Sequence, residues 1–168
     1  MSDLLKFTVP GKKEYISVVR LAVSSAANAA GFDIEEIEDI KTAVTEVCSN
    51  IFCDDESGEG TNYQVECNLE DGRMIISIND CEMCAGSEPA NLRKCNDLPV
   101  SIMPGKPGEN ISSRNAGLFM LRTLMDEVDI FSEAINAIDA AESMMSMAEA
   151  AFNSHNTLIR MIKYMSRY

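Results

Sequence analysis

The sequence predicts an α/β two-layer sandwich, in which a mixed, mainly antiparallel sheet is covered on one face by helices. Three observations point there. Segments 12–30, 33–52 and 116–127 carry apolar residues at the three-and-four spacing of one helix face. Alternating runs at 63–69 and 74–78 are joined by Asp71-Gly72, a strong signal for a two-residue hairpin. Short strand-like runs at 4–9, 128–131 and 158–165 supply the further strands that such helices need as a partner layer.

Taken in order, Leu4 to Val9 reads as a first strand that Pro10-Gly11 ends. Tyr15, Val18, Val19, Ala22, Ala26 and Ala29 then mark an amphipathic helix closed by Gly31. The strongest helical signal follows, with apolar positions at Ile37, Ile40, Val44, Val47, Cys48 and Ile51. Asp33 suits its N-cap, and Glu36 sits where the return partner of a capping box belongs. On an adjacent stripe lie Asp39, Ala43, Glu46 and Asn50, so Glu46 and Asn50 project side by side one turn apart. A carboxylate and a carboxamide beside an apolar face suit a polar pocket, although solvated residues on a helix's outer face have the same spacing.

Beyond this helix, CDDESGEGTN is acidic and turn-rich, hence a surface loop. The hairpin after it delivers Asn79-Asp80 at the end of its second strand. Residues 85–115 are rich in proline and glycine and lack clear periodicity; a loop of about thirty residues in a compact domain is either functional or disordered. Leu118, Leu121, Leu124, Met125 and Val128 then define the third helical face. Between the last two strands, Ala134, Ile138, Ala141, Met145, Ala148 and Phe152 form an apolar stripe opposite Asp139, Glu142, Ser146, Glu149 and Asn153. Segment 132–156 is therefore expected to hold an extra amphipathic helix. Its small, Met-rich face suits packing on its own sheet, and also adaptable partner binding.

With 168 residues, 46% of them apolar, the chain is expected to form a single domain over 1–168. No run approaches the roughly 18 uninterrupted apolar residues of a membrane helix, and MSDLLKFTVPGKKE lacks the basic and apolar blocks of a signal peptide. The expectation is a cytoplasmic protein without a membrane partner. A formal charge of -13, from 27 acidic and 14 basic residues, argues against direct nucleic-acid binding, which rests on clustered Lys and Arg. Basic protein surfaces are the better match. The six cysteines are expected to be thiols. Cys81 and Cys84 form a C-x-x-C, but the single histidine, His155, lies far along the chain, which weakens a zinc reading.

The wording of several segments adds a resemblance. GFDIEEIEDIKTAVTEVCSN, with Glu46-Val47-Cys48-Ser49-Asn50 as E-x-x-x-N, closely resembles the N-box helix of bacterial anti-sigma factors of the serine-protein-kinase type. These belong to the GHKL (Bergerat-fold, histidine-kinase-like) ATPase superfamily. Asp80 stands where that family's G1 box begins, and NAGLFMLRTLMDEVDI is similar to its G2 box, with Gly117 and Leu118 matching. Residues 85–115 correspond to the family's ATP lid. The chain departs from the pattern at Glu82 and Cys84, which stand at glycine positions with Gly86 as the nearest, displaced substitute. Asn115 likewise replaces a glycine, and Phe52-Cys53-Asp54 stands where a small residue and a histidine are usual.

The resemblance implies binding of ATP with Mg²⁺, capture of an RNA polymerase sigma factor, and phosphorylation of a serine on an anti-anti-sigma (STAS-type) antagonist. It assigns Glu46 as general base, Asn50 as Mg²⁺ ligand, Asp80 to adenine, and Gly86, Gly117 and Leu118 to the nucleotide. Thr157 matches a threonine that often assists at adenine. The family also pairs through its sheet and N-terminal region, which implies a homodimer. The alternative is a non-catalytic module of the same fold with a degenerate ATP site, acting by protein–protein interaction only.

Overall fold

Alternation along the strands and a capped apolar stripe on the second helix account for the architecture of the computed structural model, which describes residues 3–52, 61–80, 93–94, 120–132 and 157–166. The chain runs β1 (Asp3–Pro10), a 3-10 turn (Lys13–Tyr15), α1 (Ile16–Ala30), α2 (Ile34–Ile51), β2 (Asn62–Glu70), β3 (Arg73–Asp80), β4 (Arg93–Lys94), β5 (Glu127–Ser132) and β6 (Thr157–Tyr164). Residues 120–124 are also helical. The strands form one sheet in the order β1-β2-β3-β6-β5-β4, and each described pairing is antiparallel.

The hairpin falls where Asp71-Gly72 predicts it, with Glu70 paired to Arg73 and Gly72 at φ 81°. One face of the sheet is apolar: Val65 and Cys67 of β2, Met74, Ile76 and Ile78 of β3, Ile159 and Met161 of β6, and Val128 and Ile130 of β5 are all buried. Against it lie Val19, Val23 and Ala27 of α1, then Ile40, Val44, Val47, Cys48 and Ile51 of α2, with Leu121 and Met125 beside them in the same core. Burying each such branched side chain stabilises the fold by about 1.5–3 kcal/mol. The sandwich of helices on a mainly antiparallel sheet is thus as the sequence predicts.

Three details differ from expectation. In α1 the buried residues are Val19, Val23, Ser24 and Ala27, whereas Tyr15, Val18 and Ala29 of the expected face are exposed. That segment is apolar on both sides, so spacing alone leaves open which side turns inward. Within the loop-like stretch 85–115, Arg93 and Lys94 form a two-residue strand paired with Ser132 and Phe131. A ladder that short leaves no periodicity to read. The expected third helix, 116–127, is helical over 120–124 among the described residues, and β5 begins at Glu127. The amphipathic helix expected within 132–156 lies outside the described residues.

Candidate functional site at the end of the second helix

Helix α2 is defined at both ends. Asp33 accepts a hydrogen bond from the Glu36 N–H at 2.8 Å, and the Glu36 carboxylate accepts one from the Asp33 N–H at 2.9 Å, which completes the capping box. At the other end the Tyr63 hydroxyl donates to the Ile51 carbonyl at 3.0 Å, and the rings of Phe52 and Tyr63 lie 5.0 Å apart. The final carbonyl of α2, that of Ile51, is thus tied to β2.

On the last two turns of this anchored helix, Glu46 and Asn50 are half-buried and in direct contact. The Asn50 carboxamide donates to the Glu46 carboxylate at 3.0 Å and to the Glu46 backbone carbonyl at 2.8 Å. Both donors of Nδ2 are engaged, and the carboxamide's acceptor, Oδ1, is the hard oxygen type that Mg²⁺ takes. The donor chemistry therefore fits one ligand of a hydrated Mg²⁺ beside an acidic group. Among the described residues no cluster of three His, Cys, Asp or Glu offers a metal cage. Mg²⁺ fits such a site, because it keeps several waters and is held through one or two protein groups and substrate phosphates.

The strand register gathers the other candidates at the same end. Tyr63, which bonds the last turn of α2, is paired with Asp80, the final residue of β3. On the other side of β3, Asn79 pairs with Leu158; continuing that register by one residue sets Asp80 across from Thr157, which is buried. The end of α2, the end of β3 and the start of β6 thus converge. Gly86, Gly117 and Leu118 lie outside the described residues, as do Cys81 and Cys84. Cys48 and Cys67 are free buried thiols, and burial pushes the pKa of each up to about 12, so both are inert core residues.

One supporting residue, Lys163, and a second role of Glu36 escaped the sequence reading. Lys163 of β6 donates to Asp39 of α2 at 2.8 Å and to the Leu124 carbonyl at 2.7 Å. Its signal was parity: after Ile159 and Met161 it is the next position on the helix-facing side of β6, where an apolar residue is expected. Glu36 does more than cap, since its carboxylate also accepts the Ser166 N–H at 2.6 Å. Burial works to raise its pKa, but the N–H groups of Ser166 and Asp33, the Ser166 hydroxyl and the charge of Lys163 outweigh that and hold it below the ordinary 4.5.

Residues 9–141 match the model of the histidine kinase-like ATPase domain, and the chain belongs to that family. More particularly, it is similar to proteins named serine-protein kinase RsbW. That of Halalkalibacterium halodurans is 34% identical over 128 residues, covering 76% of this chain and 75% of the relative. That of Oceanobacillus iheyensis is 34% identical over 132 residues, 76% of this chain and 78% of the relative. That of Bacillus thuringiensis is 29% identical over 131 residues, 78% and 79% of the two chains. No helix among the described residues is long and apolar enough to cross a membrane.

Proposed function

We propose that this chain is an anti-sigma regulatory factor that binds ATP with Mg²⁺, sequesters an RNA polymerase sigma factor and phosphorylates a serine of a STAS-type anti-anti-sigma antagonist. The observation that carries this reading is the Glu46–Asn50 pair, joined at 3.0 Å across the last two turns of α2, at the same end as the end of β3 and the start of β6. The likeness to serine-protein kinases supports it. In the same reading the chain is one cytoplasmic domain over 1–168 that works as a homodimer, with 85–115 as its lid.

Phosphoryl transfer asks a protein mainly for positioning and for neutralisation of charge. Here the Glu46 carboxylate takes the proton of the attacking serine hydroxyl or of its neighbouring water. The hydrogen bond from Asn50 keeps that carboxylate in one rotamer. Asn50 would supply a ligand to Mg²⁺, and the ion would offset the negative charge of the transferring group. Asp80 receives the adenine amino group with Thr157 next to it, and Gly86, Gly117 and Leu118 complete the nucleotide site. The acidic chain, at -13, suits a partner with a basic surface, as a DNA-binding sigma factor has.

The test is transfer of labelled phosphate from ATP to the antagonist. Glu46→Gln is nearly isosteric, so it retains ATP binding and loses at least about 100-fold in transfer rate, the lower range for removing a general base. Transfer by Glu46→Gln at the wild-type rate would remove Glu46 from that role.

A further inference from the structure

We propose that Lys163 is a positioning residue for the Glu46–Asn50 pair, acting as the joint between α2 and the helix that contains residues 120–124. The inference rests on the assignment of Asn50 to Mg²⁺ and adds to it a group remote from the nucleotide.

The geometry is that of a three-way junction. The Lys163 side chain is 13% exposed and leaves β6 on the helix-facing side. Its ammonium donates to Asp39 Oδ2 at 2.8 Å and to the Leu124 carbonyl at 2.7 Å. Leu124 is the last helical residue of 120–124, so the cation sits where that helix's carbonyls and dipole favour positive charge. Its field also reaches the buried Glu36 carboxylate, which takes the Ser166 N–H at 2.6 Å two residues past the end of β6. The end of β6 therefore grips α2 at two points one turn apart, Glu36 and Asp39.

Asp39 begins the stripe that continues through Ala43 to Glu46 and Asn50. At 1.5 Å per residue, Glu46 lies about 10 Å further along the same rigid helix. A change of tilt at Asp39 is therefore carried to the pair. The same ammonium holds the end of the 120–124 helix, so one side chain sets the spacing between that helix and α2, which carries the pair. Lysine fits because its long stem crosses the apolar layer while its three donors reach acceptors on both helices.

The experiment compares ATP affinity in MgCl₂ and in EDTA for wild type, Lys163→Met, Lys163→Arg, Asp39→Asn and the Lys163→Met/Asp39→Asn double variant. It is paired with amide hydrogen exchange on the nucleotide-free proteins. In wild type, Mg²⁺ is expected to tighten ATP binding at least tenfold. In Lys163→Met that gain falls below threefold while affinity in EDTA stays within threefold of wild type, a split that general loss of stability would not produce. Asp39→Asn shows the same defect, the double variant is no worse than the poorer single one, and Lys163→Arg regains most of the Mg²⁺ effect. Amide exchange in Lys163→Met rises at residues 46–51 and 120–124 and stays unchanged at 23–27.

A folded Lys163→Met protein with the wild-type Mg²⁺ gain, or with exchange raised equally everywhere, overturns the inference. Wild-type protein showing no Mg²⁺ gain overturns the role given to Asn50 instead. The joint is then judged on the exchange pattern alone.

Discussion

Glu36 shows how much one carboxylate can hold when both of its oxygens accept hydrogen bonds. It closes the capping box on Asp33, takes the Ser166 N–H at 2.6 Å and lies in the field of Lys163, and these contacts keep its pKa below 4.5 although burial opposes them. A carboxyl whose folded pKa is depressed contributes stability that is present above its unfolded value and is lost as pH falls through the folded one. Wild-type stability in urea should therefore drop more steeply than that of Glu36→Gln once pH falls below about 4.5, and the two curves should run parallel near neutrality. Equal slopes in acid would show that the latch gains nothing from ionisation. The capping role of Glu36 was legible from its place three residues after Asp33. Its bond to Ser166 joins residues 130 apart in sequence, a contact that only the folded register of β6 defines.

Elements depend on a few backbone positions that spacing marks well. Gly31 ends α1 in the left-handed region at φ 93°, so Gly31→Ala should cost about 1–2 kcal/mol although open space surrounds a new Cβ. Gly11 is set by contact instead. A Cβ there would lie 2.5 Å from the Tyr63 ring and 2.8 Å from the Thr61 carbonyl, whose oxygen accepts the Gly11 N–H. Gly11→Ala must displace Tyr63, and with it the bond to the end of α2. The expected loss is about 1–3 kcal/mol by chemical denaturation, together with weaker ATP binding. An Ala variant of wild-type stability would contradict that packing.

The second helix was legible almost residue for residue, because cap, apolar stripe and polar stripe all agree along one stretch. The inward side of α1 was not, because Tyr15, Val18 and Leu21 are as apolar as Val19 and Val23 and only the packed layer decides between them. For the site, the neighbouring positions of Glu46 and Asn50 followed from helical spacing. The convergence of Asp80 and Thr157 needed the β3–β6 register, because 77 residues separate them in sequence. Lys163 was missed because a lone lysine in a strand reads as an outward residue until alternation is counted from the apolar positions around it.

At the scale of the molecule, large apolar side chains remain exposed on the edge strand and on α1 among the described residues. Leu4 and Leu5 on the edge strand β1 are 63% and 38% exposed, and Val18 and Leu21 of α1 are 47% and 59% exposed. An edge strand with exposed leucines is a surface that proteins usually pair or cover. This supports the proposed homodimer. Light scattering at micromolar concentration should give about twice the 18.4 kDa chain mass. Leu4→Lys combined with Leu21→Lys should halve it, and a wild-type monomer would contradict the dimer.

If the end of α2, the end of β3 and the start of β6 form a working ATP site, the thermal stability of the purified chain with and without Mg-ATP shows it most directly. At a hundredfold excess over Kd, binding to the folded state adds about 2.7 kcal/mol. That corresponds to a rise of roughly 5–10 °C in Tm for a chain of this size. Such a rise is expected, smaller if Glu82, Cys84 and Asn115 at the glycine positions weaken binding, with its complete loss in Asp80→Ala. Wild-type protein that shows no shift at millimolar Mg-ATP, yet still captures a sigma factor, would contradict the account and leave a binding module that has kept the fold without the nucleotide.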